Sequence, residues 1–228
     1  MRGASLGMSR DLWNAVDAYL TQTVVRPDGS LEAASAASDA AGLPQIAVSP
    51  SHGKLLYLLA RVSGARKVLE IGTLAGYSTI WLARAVGPHG RTVTLEREEQ
   101  HAAVARRNFA DAGVASLIEL RLGDARATLA EMVRARDLGF DLVFIDADKP
   151  SIPEYFERSL EMTHRGSIIV VDNVVRDGAV IDGASEDASI RVVRRMNEML
   201  AETRRVTATT IQTVGAKGYD GFTIALVE

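Results

Sequence analysis

The chain has 228 residues, a formal net charge of -3 and 47% apolar residues, so it can bury one sizeable core and carries no basic footprint for nucleic acid. It has no cysteine, which excludes a disulfide framework, a thiolate metal site and a cysteine nucleophile. No charged start leads into an apolar run, and no apolar run approaches the roughly 20 residues of a membrane helix, so a soluble, cytoplasmic protein without a membrane partner is expected.

Residues 1–8 read as a disordered lead. Ser9 precedes apolar residues at helical spacing, Leu12, Trp13, Val16, Tyr19 and Leu20, and is a candidate N-cap. Pro27-Asp-Gly is turn chemistry. An Ala-rich helix is expected over 31–41, stopped by Gly42 with Pro44 beyond. Residues 46–50 form a short extended crossing, and Ser51 opens a helix carrying Leu55, Leu56, Leu58, Leu59 and Val62. This helical extension, residues 1–65, is a layer on the sheet, a lid or an oligomer contact. With the core at 66–228 it is expected to form one domain.

From Lys67 the chain alternates strand and helix. Strands are expected over 68–71, 92–95, 116–122, 142–145 and 167–171, with helices over 78–86, 98–112, 125–136 and 152–163 between them. That period predicts an α/β fold, a Rossmann-like doubly wound, mostly parallel sheet with right-handed crossovers. Its strands are near-continuous apolar runs, as sheets covered on both faces require. A helix over 187–203 turns Ile190, Val193, Met196 and Leu200 inward. Residues 205–213 alternate, 215–221 read as a turn and 222–227 as a strand, so an antiparallel C-terminal hairpin closes one sheet edge.

Candidate chemistry falls at the carboxyl ends of successive strands, where open α/β sheets bind ligands. After the first come Gly72 and Gly76, which free the backbone for a sharp turn or a close ligand, with Glu70 inside the apolar strand before them. Leu74 stands where the dehydrogenase pattern has its second glycine, which argues against a nicotinamide cofactor. Glu96 ends the second strand, about 20 residues on, where an acid takes ribose hydroxyls. Gly123-Asp124-Ala125 follows the third strand. Glu96 and Asp124 are equally readable as helix N-cap or first-turn acids.

Asp146, Asp172 and Asn173 converge from neighbouring strand ends as two carboxylates and an amide. Hard oxygen donors suit Mg²⁺, Mn²⁺ or Ca²⁺ better than Zn²⁺. Lys149 lies beside them and is a candidate base, since a nearby dication favours the neutral amine. His52, His89, His101 and His164 are scattered, and neither a Gly-x-Ser-x-Gly elbow nor a phosphate loop is present.

The motifs Val-Leu-Glu-Ile-Gly-Thr-x-x-Gly-Tyr-Ser (68 to 78), Glu96, Gly-Asp-Ala (123 to 125), Phe-Ile-Asp-Ala-Asp-Lys with Tyr155, and Val-Asp-Asn (171 to 173) together resemble the cation-dependent class I O-methyltransferases. This is the group of caffeoyl-coenzyme-A and catechol O-methyltransferases and their bacterial relatives. The resemblance implies S-adenosylmethionine as cofactor, with Glu70, Gly72, Thr73 and Ser78 on its methionine side, Glu96 on the ribose, and Asp124 and Ala125 on the adenine. Val48, Tyr155 and Asp146 match further cofactor-pocket positions. It also implies that Asp146, Asp172 and Asn173 hold a divalent cation, most readily Mg²⁺, with Lys149 as base, and that the acceptor is a small hydroxylated aromatic. A homodimer is expected by the same analogy. Some bacterial relatives methylate a hydroxylated uridine in tRNA, an alternative the net charge disfavours. Catechol-type enzymes carry a substrate-side glutamate before the last strand, whereas the nearest position here holds Lys217. Residues 174–188, with Gly178 and Gly183, read as a mobile substrate loop.

Overall fold

The computed structural model describes residues 3–228, so the first two residues of the expected disordered lead lie outside it. From residue 3 the lead is helical: α1 runs Gly3–Leu20 and continues into a π-helical turn, Thr21–Val25. Ser9 therefore lies within α1 and does not cap it. Helix α2, Gly29–Ala40, is capped by Asp28, which accepts from the Ser30 and Leu31 amides. Helix α3, Pro50–Val62, is capped by Ser49 with proline at its first position, so it starts one residue before the expected Ser51.

The core then alternates: β1 (Lys67–Ile71), α4 (Tyr77–Val86), β2 (Arg91–Glu96), α5 (Glu99–Asp111), β3 (Ile118–Leu122), α6 (Ala125–Arg134), β4 (Phe140–Ile145), α7 (Ile152–Met162) and β5 (Thr163–Asp172). Helix α8, Ala188–Glu202, leads to β6 (Val206–Gly215) and β7 (Gly218–Val227). The seven strands form one sheet in the order β3-β2-β1-β4-β5-β7-β6. β1 to β5 are parallel, and β7 runs antiparallel between β5 and β6, which confirms the expected doubly wound sheet with its antiparallel closing strand.

Several boundaries moved: β5, for one, begins at Thr163, four residues before the expected 167. Two of the shifts have a visible physical reason. Ala115–Leu117 form a 3₁₀ turn, so β3 begins at Ile118. Residues 218–221, read as turn because of their glycines, pair with β6 instead. A Cβ at Gly221 would stand 2.5 Å from the Ile211 carbonyl oxygen and 2.6 Å from Val175 Cγ2, so this glycine serves a close approach and not a turn.

Strand alternation sorts the core into two layers. Leu69, Ile71, Val143, Ile145, Ile169 and Val171 face α6, α7 and α8. Val68, Leu142, Phe144 and Val170 face α3 and α4. By the same alternation Glu70 points to the α4 side. Among the described residues no helix is long and apolar enough to cross a membrane.

Candidate active site

One cavity of about 1060 Å³ opens along the carboxyl edge of the sheet. On one half it is lined by Val48, Gly72, Thr73 and Ser78, and further along by Glu96, Asp124, Ala125 and Tyr155. On the other half it is lined by Asp146, Lys149, Asp172 and Asn173. Every site residue expected from the sequence is thus brought to one space except Glu70.

Glu70 is fully buried behind the wall. Its Oε1 accepts the Ser78 hydroxyl at 2.6 Å, and its Oε2 accepts Thr94 at 2.7 Å and the Thr79 hydroxyl. Burial pushes its carboxyl up to about 7, against the lowering effect of these hydrogen bonds. Because that lies above the ordinary 4.5, Glu70 contributes stability that is fully present below pH 4.5 and is lost as pH rises through 7. Wild-type stability relative to Glu70→Gln should therefore fall by roughly 3 kcal/mol between these limits. Urea unfolding of both proteins across the range checks this, and a difference independent of pH would contradict it.

The turn after β1 is built by protein contacts. A Cβ on Gly72 (φ 100°) would lie 2.1 Å from the Asp146 carbonyl oxygen, and one on Gly76 (φ 83°) 2.2 Å from the Phe109 ring. Both glycines are needed for packing, where the sequence left open a ligand's approach. Leu74 sits at φ 50°, held by its amide donating to Glu96 Oε2 at 2.8 Å. Glu96 also accepts the Thr73 amide at 3.3 Å and, through Oε1, the Arg97 and Glu98 amides at 2.9 Å each. The carboxylate thus ties the end of β2 to the β1 turn while lining the cavity. Asp124 caps α6 by accepting the Ala127 amide at 3.1 Å, so its cap reading and its position on the cavity hold together. The Tyr155 hydroxyl donates to Asp148, and burial together with that carboxylate pushes the phenol well up, which removes it as a base.

At the other half, Asp146 and Asp172 end β4 and β5. Asp172 is buried, and desolvation followed by repulsion from Asp146 raises its carboxyl well above the usual range. Two neighbouring carboxylates on the cavity wall, one of them buried, form a ready seat for positive charge. Lys149 Nζ lies 3.1 Å from Asp146 Oδ1. Asn173 sits at φ 60° and donates through Nδ2 to Asp220 Oδ2 at 3.2 Å, which leaves its amide oxygen free to ligate. Among the described residues no three His, Cys, Asp or Glu side chains are close enough to hold a metal, so any cation here depends on that amide oxygen.

Two residues escaped the sequence reading. Asp220 Oδ1 accepts the Val175, Arg176 and Gly221 amides at 3.0, 2.9 and 2.9 Å. It pins the start of the 174–188 segment and steers Asn173. Its Asp-Gly sequence resembled a turn, which hid it. His52, in the first turn of α3, stacks on Phe222 at 4.8 Å with Nδ1 3.7 Å from Asp172 Oδ2, and burial pushes its pKa down. Only its position just after a cavity-lining segment could have signalled it. Lys217, between β6 and β7, donates to the Gln45 carbonyl at 3.1 Å on the cavity rim.

The model of the O-methyltransferase family matches residues 29–226. A catechol O-methyltransferase of Mycobacterium tuberculosis is 52% identical over 93% of this chain and 94% of its own. The solved O-methyltransferase of Bacillus cereus, in complex with SAH, superposes with a TM-score of 0.94 at 47% identity, covering 96% of this chain and 99% of that one. TomG of Streptomyces achromogenes, an O-methyltransferase involved in tomaymycin synthesis and solved with SAM, gives 0.90 at 50% identity over 96% and 98%. The matched span contains the whole strand-end constellation, and the chain belongs to the O-methyltransferase family.

Proposed function

We propose that the enzyme moves the methyl group of S-adenosylmethionine to one hydroxyl of a small vicinal dihydroxy aromatic, with a divalent cation as cofactor. The observation that carries this reading is the all-oxygen set of Asp146, Asp172 and Asn173, next to Lys149, in the same cavity as the β1 turn. The donor chemistry fits Mg²⁺ best, with Mn²⁺ or Ca²⁺ as substitutes. When bound, such a cation supplies Lewis acidity to two adjacent hydroxyls. Relatives solved with SAM or SAH support the cofactor, and the catechol O-methyltransferase relative supports the acceptor class.

A phenol has a pKa near 10, so at neutral pH it must lose its proton to become a useful nucleophile. Lys149 Nζ takes that proton. The phenolic oxygen then attacks the methyl carbon as the carbon–sulfur bond breaks, leaving a neutral thioether. Ser78, Thr73 and Gly72 hold the methionine end, and Glu96, Asp124, Ala125 and Tyr155 surround the nucleoside, with Val48 closing the pocket from the α3 side. Alignment of oxygen, carbon and sulfur in one enclosed space supplies several kcal/mol of the rate. Measuring SAH release with catechol, resorcinol and hydroxyuridine tRNA tests the acceptor. Turnover of catechol alone is expected, and turnover of the tRNA alone would replace this acceptor with a nucleic acid.

Asp220 acts through Asn173 in this reading. Asp220→Ala is expected to weaken Mn²⁺ binding by about 10–100-fold, the usual cost of losing a residue that orients a ligand. Electron paramagnetic resonance titration of free Mn²⁺ reads it, and unchanged affinity would remove Asp220 from the site.

The same reading places the protein in the cytoplasm and treats the chain as one domain, the latter because Leu31 and Ala34 of α2 and Leu56 of α3 are buried in the cores around the sheet. It also includes a homodimer. Leu12, Val16 and Tyr19 of α1 are 62%, 46% and 66% exposed at helical spacing and offer an apolar stripe to a second copy. Sedimentation of the wild type against Leu12→Glu/Tyr19→Glu checks this.

A further inference from the structure

The half of the cavity that holds the oxygen donors continues outward as an apolar lane. Asp172 pairs with Phe222 across β5 and β7, and Phe222 pairs with Ile211 across β7 and β6. Directly opposite residues of antiparallel strands point to one face, so Asp172, Phe222 and Ile211 form a row. Strands lie about 4.8 Å apart, which sets Ile211 roughly 10 Å from Asp172 across the sheet. All three residues line the cavity. Phe222 is buried under the His52 ring, whereas Ile211 at the outer end is exposed.

Ile46 and Val214 line the same cavity and are exposed as well. Exposed apolar side chains are ordinary when scattered, but these three surround one opening. They come from β6 and from the loop before α3, and polar contacts hold the rim together. Lys217 Nζ donates to the Gln45 carbonyl at 3.1 Å, and Asp17 accepts the Ala216 amide at 2.8 Å. Two of the charged groups at this mouth are thereby spent on the rim itself. The other two, Arg176 and Asp177, are opposite in sign and add no net charge.

We propose that the acceptor is a vicinal dihydroxy aromatic carrying an uncharged, apolar substituent on its ring, which lies along the row towards Ile211 and leaves the cavity between Ile46 and Val214. The inference rests on the acceptor reading above and deepens it. A bare catechol held beside Asp172 is too short to reach Ile211 and leaves the outer end of the row wet. A chain para to one hydroxyl points away from the oxygen donors and covers that end. Each methylene taken fully out of water is worth up to about fourfold in affinity, so the lane reads chain length and not charge.

The test is kcat/KM for catechol, 4-butylcatechol and 3,4-dihydroxybenzoate, with saturating S-adenosylmethionine and Mg²⁺. 4-Butylcatechol is expected to exceed catechol by about tenfold or more, chiefly through KM, and 3,4-dihydroxybenzoate is expected not to exceed it. Ile211→Ser and Ile46→Ser change exposed side chains and spare the core. Combined, they should cut the butyl advantage to less than about threefold, and the ratio of the two substrates cancels any general loss of activity. No butyl advantage, one that survives both substitutions, or a preference for the carboxylate overturns the proposal. Turnover of catechol without a butyl advantage leaves the acceptor reading standing, whereas turnover of none of the three overturns that reading and this proposal with it.

Discussion

Asp146→Ala is expected to abolish methyl transfer, with kcat falling by about a thousandfold or more while the fold is kept. Lewis-acid stabilisation of the acceptor oxygen is worth several kcal/mol, and each 1.36 kcal/mol is about tenfold in rate. Asp146 ends β4, and its backbone is fixed by the amide bond to the Ile71 carbonyl at 2.9 Å and by the close approach to Gly72. The side chain is therefore free of structural duty apart from the ion pair with Lys149. Removing it also relieves the repulsion that raises Asp172. A lost activity can be told from a lost fold by thermal unfolding. Without metal, Asp146→Asn should melt within a few degrees of wild type; added Mg²⁺ should raise the wild-type midpoint and leave the variant's unchanged. Full activity in either variant would remove Asp146 from the chemistry.

The second large effect concerns Lys149. As general base it should contribute about 10²–10⁴ in kcat, with little change in the acceptor's KM. Lys149→Met tests the loss of the group. Lys149→Arg is the sharper variant, because guanidinium keeps the positive charge and cannot give up its proton. Both should be slow if Lys149 carries the proton. An arginine variant near wild-type kcat would show that only positive charge beside Asp146 matters. Raising pH should partly rescue Lys149→Met, since hydroxide and the ionised phenol replace the missing base.

The strand ends were legible because they combine two local signals. Apolar runs such as Leu142 to Ile145, set between helical stretches, read as strands buried on both faces, and a carboxylate directly after such a run then falls at the sheet edge. That logic located Asp146, Asp172 and Asn173 without any contact information. It failed wherever a residue's duty is set by a partner far along the chain. Gly72 and Gly76 advertised conformational freedom, but their need for it comes from the Asp146 carbonyl and the Phe109 ring. Glu70 was visible as a costly buried acid, yet only strand alternation in three dimensions shows that it faces α4 and not the cavity. Asp220 was hidden in a glycine-rich stretch whose register with β6 depends on 47-residue contacts such as that to Asn173. The beginning of α1 was missed because Gly3, Ser5 and Gly7 are poor helix formers, so local propensity pointed to a coil.

The most direct test of the cation-assisted reading is calorimetric titration of catechol into the protein saturated with S-adenosylhomocysteine, once with Mg²⁺ and once with EDTA. With Asp146, Asp172 and Asn173 holding the cation, catechol should bind in Mg²⁺, bind at least about tenfold more weakly in EDTA, and show the EDTA affinity in Asp172→Asn even when Mg²⁺ is present. Equal affinity under all three conditions would contradict it.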